Sequence, residues 1–273
     1  MNYQTFQPNS DLNALVKCFW TLEISADHAS EKQRIIPDGC MELIFILGDD
    51  IKRYTSETEF IIQPRAIIVG QITEPFTIQP TGYVHCFATR FYPYGVANFI
   101  KTPLKNLENK ETPIATLFGE TIAHELEQKI IHAKDTPERI KIIETFLTHK
   151  LNETYSIDQI VLSTIDALLA TSGSSPIKAI LQEDASKRRQ LERKFSQQIG
   201  MSPKQLGKVI RLQAALKLML NQKSETFTKI AYESEYYDQN HFIKDFKEFT
   251  GITPKEFLSD NQMLLSSLFY TKD

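Results

Sequence analysis

The sequence predicts an α+β protein: a β-barrel or sandwich first, helices after it, and an all-α C-terminal domain made of two helix-turn-helix units. Three observations predict this. Up to about residue 105, short β-branched or aromatic runs are cut by Gly and Pro. After Pro113, apolar residues recur at helical spacing. Near the C-terminus one phrase is written twice, FSQQIGMSPKQL at 195–206 and FKEFTGITPKEF at 246–257, at an offset of 51.

The β part comes first. RIIPDGCMELIFILGDD reads as a turn at Pro37-Asp38-Gly39, a strand over Met41–Leu47, and a second turn at Gly48-Asp49-Asp50. FIIQPRAIIVGQITEPFTIQPTGYVHCFATRFYPYG keeps that rhythm, which suits a sandwich or small barrel. The helical part begins with Ile114, Leu117, Phe118, Ile122, Leu126 and Ile130. Lys141–Leu151 and Ile157–Leu169 give two more helices, and the polar loop TSGSS at 171–175 marks a boundary. The expected organisation is a barrel over 1–105, a helical linker or oligomerisation segment over 106–171, a DNA-binding domain over 172–260 and a tail over 261–273.

From Ser175 and Pro176 onward every signal is helical. A short helix carries Ile177, Ile180 and Leu181. A second, Ser186–Gln198, carries Leu191, Phe195 and Ile199 and stops at Gly200. Ser202 and Pro203 open a long helix with Val209, Leu212, Leu216 and Met219 inward. A short helix around Phe227, Ile230 and Ala231 precedes one capped by Asp238, with Phe242, Phe246 and Phe249 on one stripe. At the 51-residue offset Leu191 answers Phe242 and Arg193 answers Lys244, so each copy is a helix-turn-helix.

The polar faces of the second helices carry base-reading chemistry. Arg188, Arg189 and Arg193 lie away from the stripe in copy one, with Lys187 and Lys194 nearby. Gln239, Asn240, Lys244 and Lys247 do so in copy two. Arg pairs bidentately with guanine and Asn or Gln with adenine in the major groove. Lys mainly neutralises phosphate. The plain alternative is a pair of solvated helix faces. Pro203–Leu220 as one helix is roughly 27 Å long, of the order of the ~34 Å between successive major grooves on one face of DNA.

Charge agrees. The chain carries a net −3, yet 174–260 holds 15 Lys and Arg against 11 Asp and Glu, leaving an acidic remainder. A hydrophobic content of 41% and a charged content of 24% are ordinary for a globular protein. MNYQTFQPNSD has no basic or apolar leader segment, and no apolar run approaches the ~20 residues of a membrane span. Cys18, Cys40 and Cys86 have no metal-ligand spacing and read as reduced thiols. The expected location is cytoplasmic.

SKRRQLERKFSQQIGMSPKQLGKVIRLQAAL with FTKIAYESEYYDQNHFIKDFKEFTGITPKEF resembles the DNA-binding domain of AraC-type transcriptional regulators over residues 175–258. The resemblance implies a double helix-turn-helix on a linker helix. It places base reading on Arg188, Arg189 and Arg193, and on Gln239, Asn240 and Lys244. Two departures stand out. Copy two has Glu235-Tyr236 where the family holds Gly before an aromatic, so its turn is expected to be reshaped, whereas Asp184 of copy one tolerates a left-handed φ better. Lys187 stands where a capping Ser is common, so Ser186 is expected to cap.

IIPDGCMELIFILGD, VGQITEPFTIQPTG and FATRFYPYGVANFI resemble the cupin-like N-terminal domain of some of these regulators. That implies a small barrel whose mouth holds a small molecule, with Glu42, Cys86, Arg90 and Tyr92 as candidate effector-binding groups. No catalytic residue, metal site or cofactor is read. Only His85 among six histidines lies in a barrel-like run, and no phosphate loop, Gly-x-Ser-x-Gly or His-Glu-x-x-His occurs. The chain reads as a non-enzymatic transcriptional regulator. The alternative is a cupin-type enzyme or binding protein with an incidental helical tail. Partners of the first reading are double-stranded DNA, a small-molecule effector, a second copy of the chain and RNA polymerase.

Overall fold

Period-2 alternation builds the N-terminal half of the computed structural model, which describes all residues except Ser10, 29–30, 152–156, 182–183, 222–225 and Asp273. Among the described residues ten strands form two antiparallel sheets. They are β1 (Asn2–Phe6), β2 (Val16–Ile24), β3 (Gln33–Ile35), β4 (Met41–Ile46), β5 (Ile51–Tyr54), β6 (Phe60–Ile62), β7 (Ala66–Val69), β8 (Phe76–Pro80), β9 (Val84–Phe91) and β10 (Glu111–Pro113). The larger sheet runs β1-β2-β9-β4-β7-β10 and the smaller β3-β8-β5-β6. The sheet therefore extends past residue 105: Glu111–Pro113 pairs with Val69–Ile67.

The larger sheet is buried on both faces, which is why its strands read as nearly continuous apolar runs. In β4, Met41, Leu43 and Phe45 pack outward with Phe19, Phe87 and Phe91. Between them, Glu42, Ile44 and Ile46 line the barrel interior. The outer face is covered by α1 (Ile114–Phe118), α2 (Glu120–His132) and α3 (Thr136–Leu151), which contribute Ile114, Leu126, Ile130, Ile143 and Leu147 to that core. The 114–130 stripe is two helices rather than one, because Gly119 adopts φ 86° between them. α3 starts five residues before Lys141: Asp135 accepts from the Glu138 amide at 2.9 Å while Glu138 accepts from Lys134 at 2.8 Å, a start signal hidden among polar residues.

The C-terminal half holds α4 (Gln159–Ala170), α5 (Ile177–Ile180), α6 (Ala185–Gln198), α7 (Pro203–Asn221), α8 (Phe227–Glu233), α9 (Gln239–Thr250), α10 (Pro254–Phe257) and α11 (Leu264–Lys272). α4 packs Val161, Ile165 and Leu168 against Leu191, Phe195 and Ile199 of α6. It thus belongs to the first helix-turn-helix core, although it precedes the TSGSS loop.

The twice-written phrase has a local cause. Gly200 and Gly251 end α6 and α9 at φ 93° and 79°, the left-handed stop that glycine adopts without a Cβ clash. Ser202 and Thr253 then start the next helix. Ser202 Oγ accepts from the Gln205 amide at 3.2 Å, and Gln205 accepts from the Ser202 amide at 3.1 Å. Thr253 and Glu256 repeat this capping box at 3.3 and 2.7 Å. Gly-x-Ser/Thr-Pro-Lys-Gln/Glu is one stop-and-restart written twice.

The two halves interlock. The Pro37-Asp38-Gly39 turn projects under α7: Gln213 donates to the Pro37 carbonyl at 2.6 Å. Ile36 is buried within the core of the second helix-turn-helix. In return α11, expected as a tail, packs Leu265 and Phe269 into the barrel core.

Candidate nucleic-acid interface

The first candidate reading helix is α6. Asp184 caps it at φ −75°, accepting from the Ser186 amide at 2.9 Å and its hydroxyl at 2.6 Å. The expectations for this turn are therefore corrected: Asp184 is extended rather than left-handed, and it caps the helix instead of Ser186. Ser186 already lies inside the helix, and the Asp184 carboxylate suits its positive end. Leu191, Phe195 and Ile199 are fully buried, which turns Arg189 and Arg193 outward; Lys187 and Arg188 are exposed as well, standing in the first turn of α6 ahead of that stripe. Arg188 lies 3.1 Å from Glu192 one turn on. Lys194 instead pairs with Asp158 at the start of α4, and that hydrogen bond holds the Asp158 carboxyl below its usual range.

The second is α9, capped by Asp238, which accepts from the His241 amide at 2.7 Å. Phe242, Phe246 and Phe249 are buried and Asn240, Lys244 and Lys247 are exposed. Gln239 is half-buried, and its carbonyl accepts from the Thr228 hydroxyl at 2.6 Å, tying α9 to α8. The turn before α9 is not reshaped. Glu235 takes the left-handed conformation at φ 61° that a glycine would take without strain. Buried Tyr236, under the Arg211 guanidinium at 5.1 Å, holds the geometry.

Both helices flank one cleft of about 700 Å³, floored by α7 and the 173–176 loop. Arg188 of α6 and Lys244 of α9 line it together, with Lys204 and Lys208 of α7 between them. Lys208 is committed to the structure: it sits 3.1 Å from buried Asp245 and 2.9 Å from Glu248. Burial opposes its charge, but the two carboxylates prevail and raise its pKa. Arg188, Lys204 and Lys244 are exposed, a basic rim of the kind that neutralises phosphate. Two large exposed tyrosines frame the second turn, Tyr232 at 81% and Tyr237 at 92%. Sequence reading passed over both, although two aromatics beside a helix cap were visible in EYYDQN.

The barrel encloses a second candidate site, a cavity of about 90 Å³. Glu42 and Cys86 line it; burial pushes the Cys86 thiol up to about 12, so it is present as an inert thiol. Arg90 lies on the same inward face but is 2% exposed. It donates to Glu42 at 2.7 Å and sits 3.7 Å from Asp38. Burial opposes its charge, and the two carboxylates keep it protonated. Glu42 also accepts from Trp20 Nε1 at 2.9 Å. Tyr92 is apart from these: it follows the last residue of β9 and stacks on Tyr94 at 6.0 Å, away from the cavity lining. Gln63 and Glu111 line the cavity and were not foreseen. Glu111 sits on a strand beyond the expected barrel boundary. Burial raises its pKa despite Arg53 at 3.4 Å and a hydrogen bond from Gln63 at 2.7 Å.

Comparison with known proteins divides the chain the same way. Residues 185–260 match the model of a helix-turn-helix domain, and residues 4–113 match a domain of unknown function (DUF6597). No curated protein sequence matches the chain. Among solved structures it is similar to ToxT from Vibrio cholerae at 1.65 Å, with 14% identity, 95% of this chain and 98% of that chain covered, and a TM-score of 0.49. A structure of unsaturated fatty acid bound wild-type ToxT from Vibrio cholerae strain SCE256 gives 15% identity, coverage of 87% and 93%, and a TM-score of 0.46. ToxT from Vibrio cholerae O395 gives 15%, 94% and 97%, and 0.48. Among the described residues no helix is long and apolar enough to cross a membrane.

Proposed function

We propose that this chain, whose residues 185–260 form an AraC-type helix-turn-helix domain, is a sequence-specific DNA-binding transcriptional regulator controlled by a small molecule bound in its barrel. The observation that carries the reading is the pairing of α6 and α9 across one basic-rimmed cleft. Arg188 of α6 and Lys244 of α9 line it, and Arg189, Arg193, Asn240 and Lys247 are exposed on the same two helices. α7 spans 19 residues, roughly 28 Å as a continuous helix. α6 precedes it across the Gly200 turn and α9 is anchored to its second turn through Lys208, so the two heads form one unit, of the kind that enters successive major grooves on one face of a duplex.

In this reading Arg188, Arg189, Arg193 and Asn240 read base edges, with Gln239 seating α9 on Thr228. Lys244, Lys247 and Lys204 neutralise phosphate. Glu42 and Cys86 contact the effector, while Arg90 fixes Glu42 rather than touching the ligand. The protein works in the cytoplasm as a homodimer and acts on RNA polymerase. The apolar edge strand β6, with Phe60, Ile61 and Ile62 all exposed, is a surface of the type a partner covers.

The test is selection of bound duplexes from random DNA with the full chain, followed by hydroxyl-radical footprinting of the winner. Two protected segments about one helical turn apart on one face are expected. Protection confined to a single groove, or no selectable sequence, overturns the reading.

A further inference from the structure

The barrel cavity is narrowed by the chain's own helix α11. At about 90 Å³ it is well below the roughly 300–1,000 Å³ of small-molecule sites. Leu265 and Phe269 of α11 are part of its lining. Phe269 stands in an aromatic cage, 5.3 Å from Tyr3 and 5.7 Å from Trp20 between ring centroids, with the Arg90 guanidinium 5.6 Å from its ring.

α11 has a second face. Tyr270 belongs to the core of the second helix-turn-helix, together with Ile36 from the barrel. The Tyr270 hydroxyl donates to the Ile36 carbonyl at 3.0 Å, and Ser266 donates to the Arg34 carbonyl at 2.7 Å. Gln33 bonds both ends of the approach, accepting from the Leu265 amide at 3.1 Å and donating to the Asn261 carbonyl at 3.2 Å. One nine-residue helix thus fills the barrel mouth and joins the barrel to the domain that carries α9. Anything that takes the place of Phe269 moves that joint.

The walls indicate what could take its place. Apart from Glu42, Glu111 and Gln63, the lining is almost wholly apolar, and both charged lining residues are carboxylates. Their arginine partners, Arg90 and Arg53, stand outside the lining. Trp20 and Gln63 of the lining already donate to Glu42 and Glu111, and Arg90 beside Phe269 is held by Glu42 and Asp38, so a ligand carboxylate would have to compete with the protein's own carboxylates for its donors. An N–H, O–H or ammonium group would find an acceptor.

We propose that α11 is a built-in competitor for the barrel cavity. An apolar ligand carrying a hydrogen-bond donor enters by displacing Leu265 and Phe269, and so releases the second reading head from the barrel. The proposal rests on the effector-binding reading above and adds the ligand's chemistry and the route of its signal. A ligand that binds only the released state shifts the equilibrium by its differential affinity, and DNA and ligand then alter each other's affinity by one factor.

The full chain tests this without DNA. Trp20 is the one tryptophan and lines the cavity, so energy transfer from it reports a ligand there. The probe is N-phenyl-1-naphthylamine, a neutral apolar aryl amine, compared with its anionic relative 1-anilinonaphthalene-8-sulfonate. Phe269→Ala is expected to bind the neutral probe at least about tenfold tighter than the native chain, and the sulfonate with a smaller gain. Leu264→Ala, at a position 53% exposed on the same helix, should match the native chain. Equal probe affinity in all three proteins overturns the competitor, and an equal gain for the sulfonate overturns the donor chemistry. Should Phe269→Ala not fold, Phe269→Leu carries the same comparison. On the native chain, saturating neutral probe should raise amide exchange across 264–272 and 36–39. Bound probe with unchanged exchange refutes displacement. Failure of DNA selection would sink the regulator reading while leaving these outcomes intact.

Discussion

Replacing Glu235 with glycine should make the protein more stable. Glu235 sits at φ 61° in the turn between α8 and α9, and its exposed side chain contributes no burial. Holding an L-residue in the left-handed region costs roughly 1–2 kcal/mol. Glycine removes that cost and returns about 0.5–1 kcal/mol through its greater freedom in the unfolded chain. The net is a gain of about 0.5–1 kcal/mol. At roughly 2–4 °C per kcal/mol for a chain unfolding as units of 150–250 residues, melting should rise by about 1–4 °C. The Glu235 carbonyl, which accepts from Arg211 at 3.5 Å, is kept. The assay is thermal and urea unfolding followed by helical circular dichroism, with Glu235→Ala as reference. Alanine keeps the Cβ and should stay within about 0.5 kcal/mol of the native chain. If Glu235→Gly is no more stable than Glu235→Ala, the left-handed strain is not there and the reasoning fails.

Glu42→Ala should cost about 3–5 kcal/mol in urea unfolding, because it strips the nearest partner from an Arg90 that is 2% exposed. Arg189→Ala and Asn240→Ala should each lose about 1–3 kcal/mol of binding on the selected duplex, at different segments, as read by footprint titration; equal loss on all sequences would make both phosphate contacts. Burial holds the Glu111 pKa above the usual glutamate range, with Arg53 and Gln63 only partly offsetting it. The folded state thus binds the proton more readily, so this contribution to stability is full at low pH and is lost as pH rises through the raised pKa. Melting of Glu111→Gln relative to the native chain, followed from about pH 4 to about pH 7, should show the variant gaining steadily over that range; a difference independent of pH contradicts the burial argument.

The second half of the fold was legible because its signals are local. Phe195, Gly200, Ser202 and Gln205, repeated as Phe246, Gly251, Thr253 and Glu256, encode a buried stripe, a left-handed stop and a capping box within eleven residues. Most candidate reading residues followed from the same periodicity, since fixing Leu191 and Phe242 inward fixes Arg189, Arg193 and Asn240 outward; Arg188, three residues before Leu191, shares the stripe's face and is exposed because it stands in the first turn of α6. Glu42, Cys86 and Arg90 share the inward face of paired strands, with Glu42 opposite Arg90 and Ile46 opposite Cys86; the pattern placed them, but not the ion pair that consumes Arg90. Tyr92 lies just past the end of β9, where alternation no longer sets direction. What sequence could not show was long-range. Glu111 joins the sheet through pairing with Val69, and α11 reaches back more than 230 residues to Gln33 and Arg34. Leu265 and Phe269 do stand at helical spacing, yet nothing local says which surface they cover.

The most direct test of the two-headed account is a spacing series on the selected duplex. Stiff α7 fixes the separation of α6 and α9, so inserting about 5 base pairs between the two protected segments should cut binding to that of one head. Inserting about 10, which restores the face but adds one turn, should not recover it. Full affinity at either insertion would contradict a rigid pair of heads reading one face of DNA.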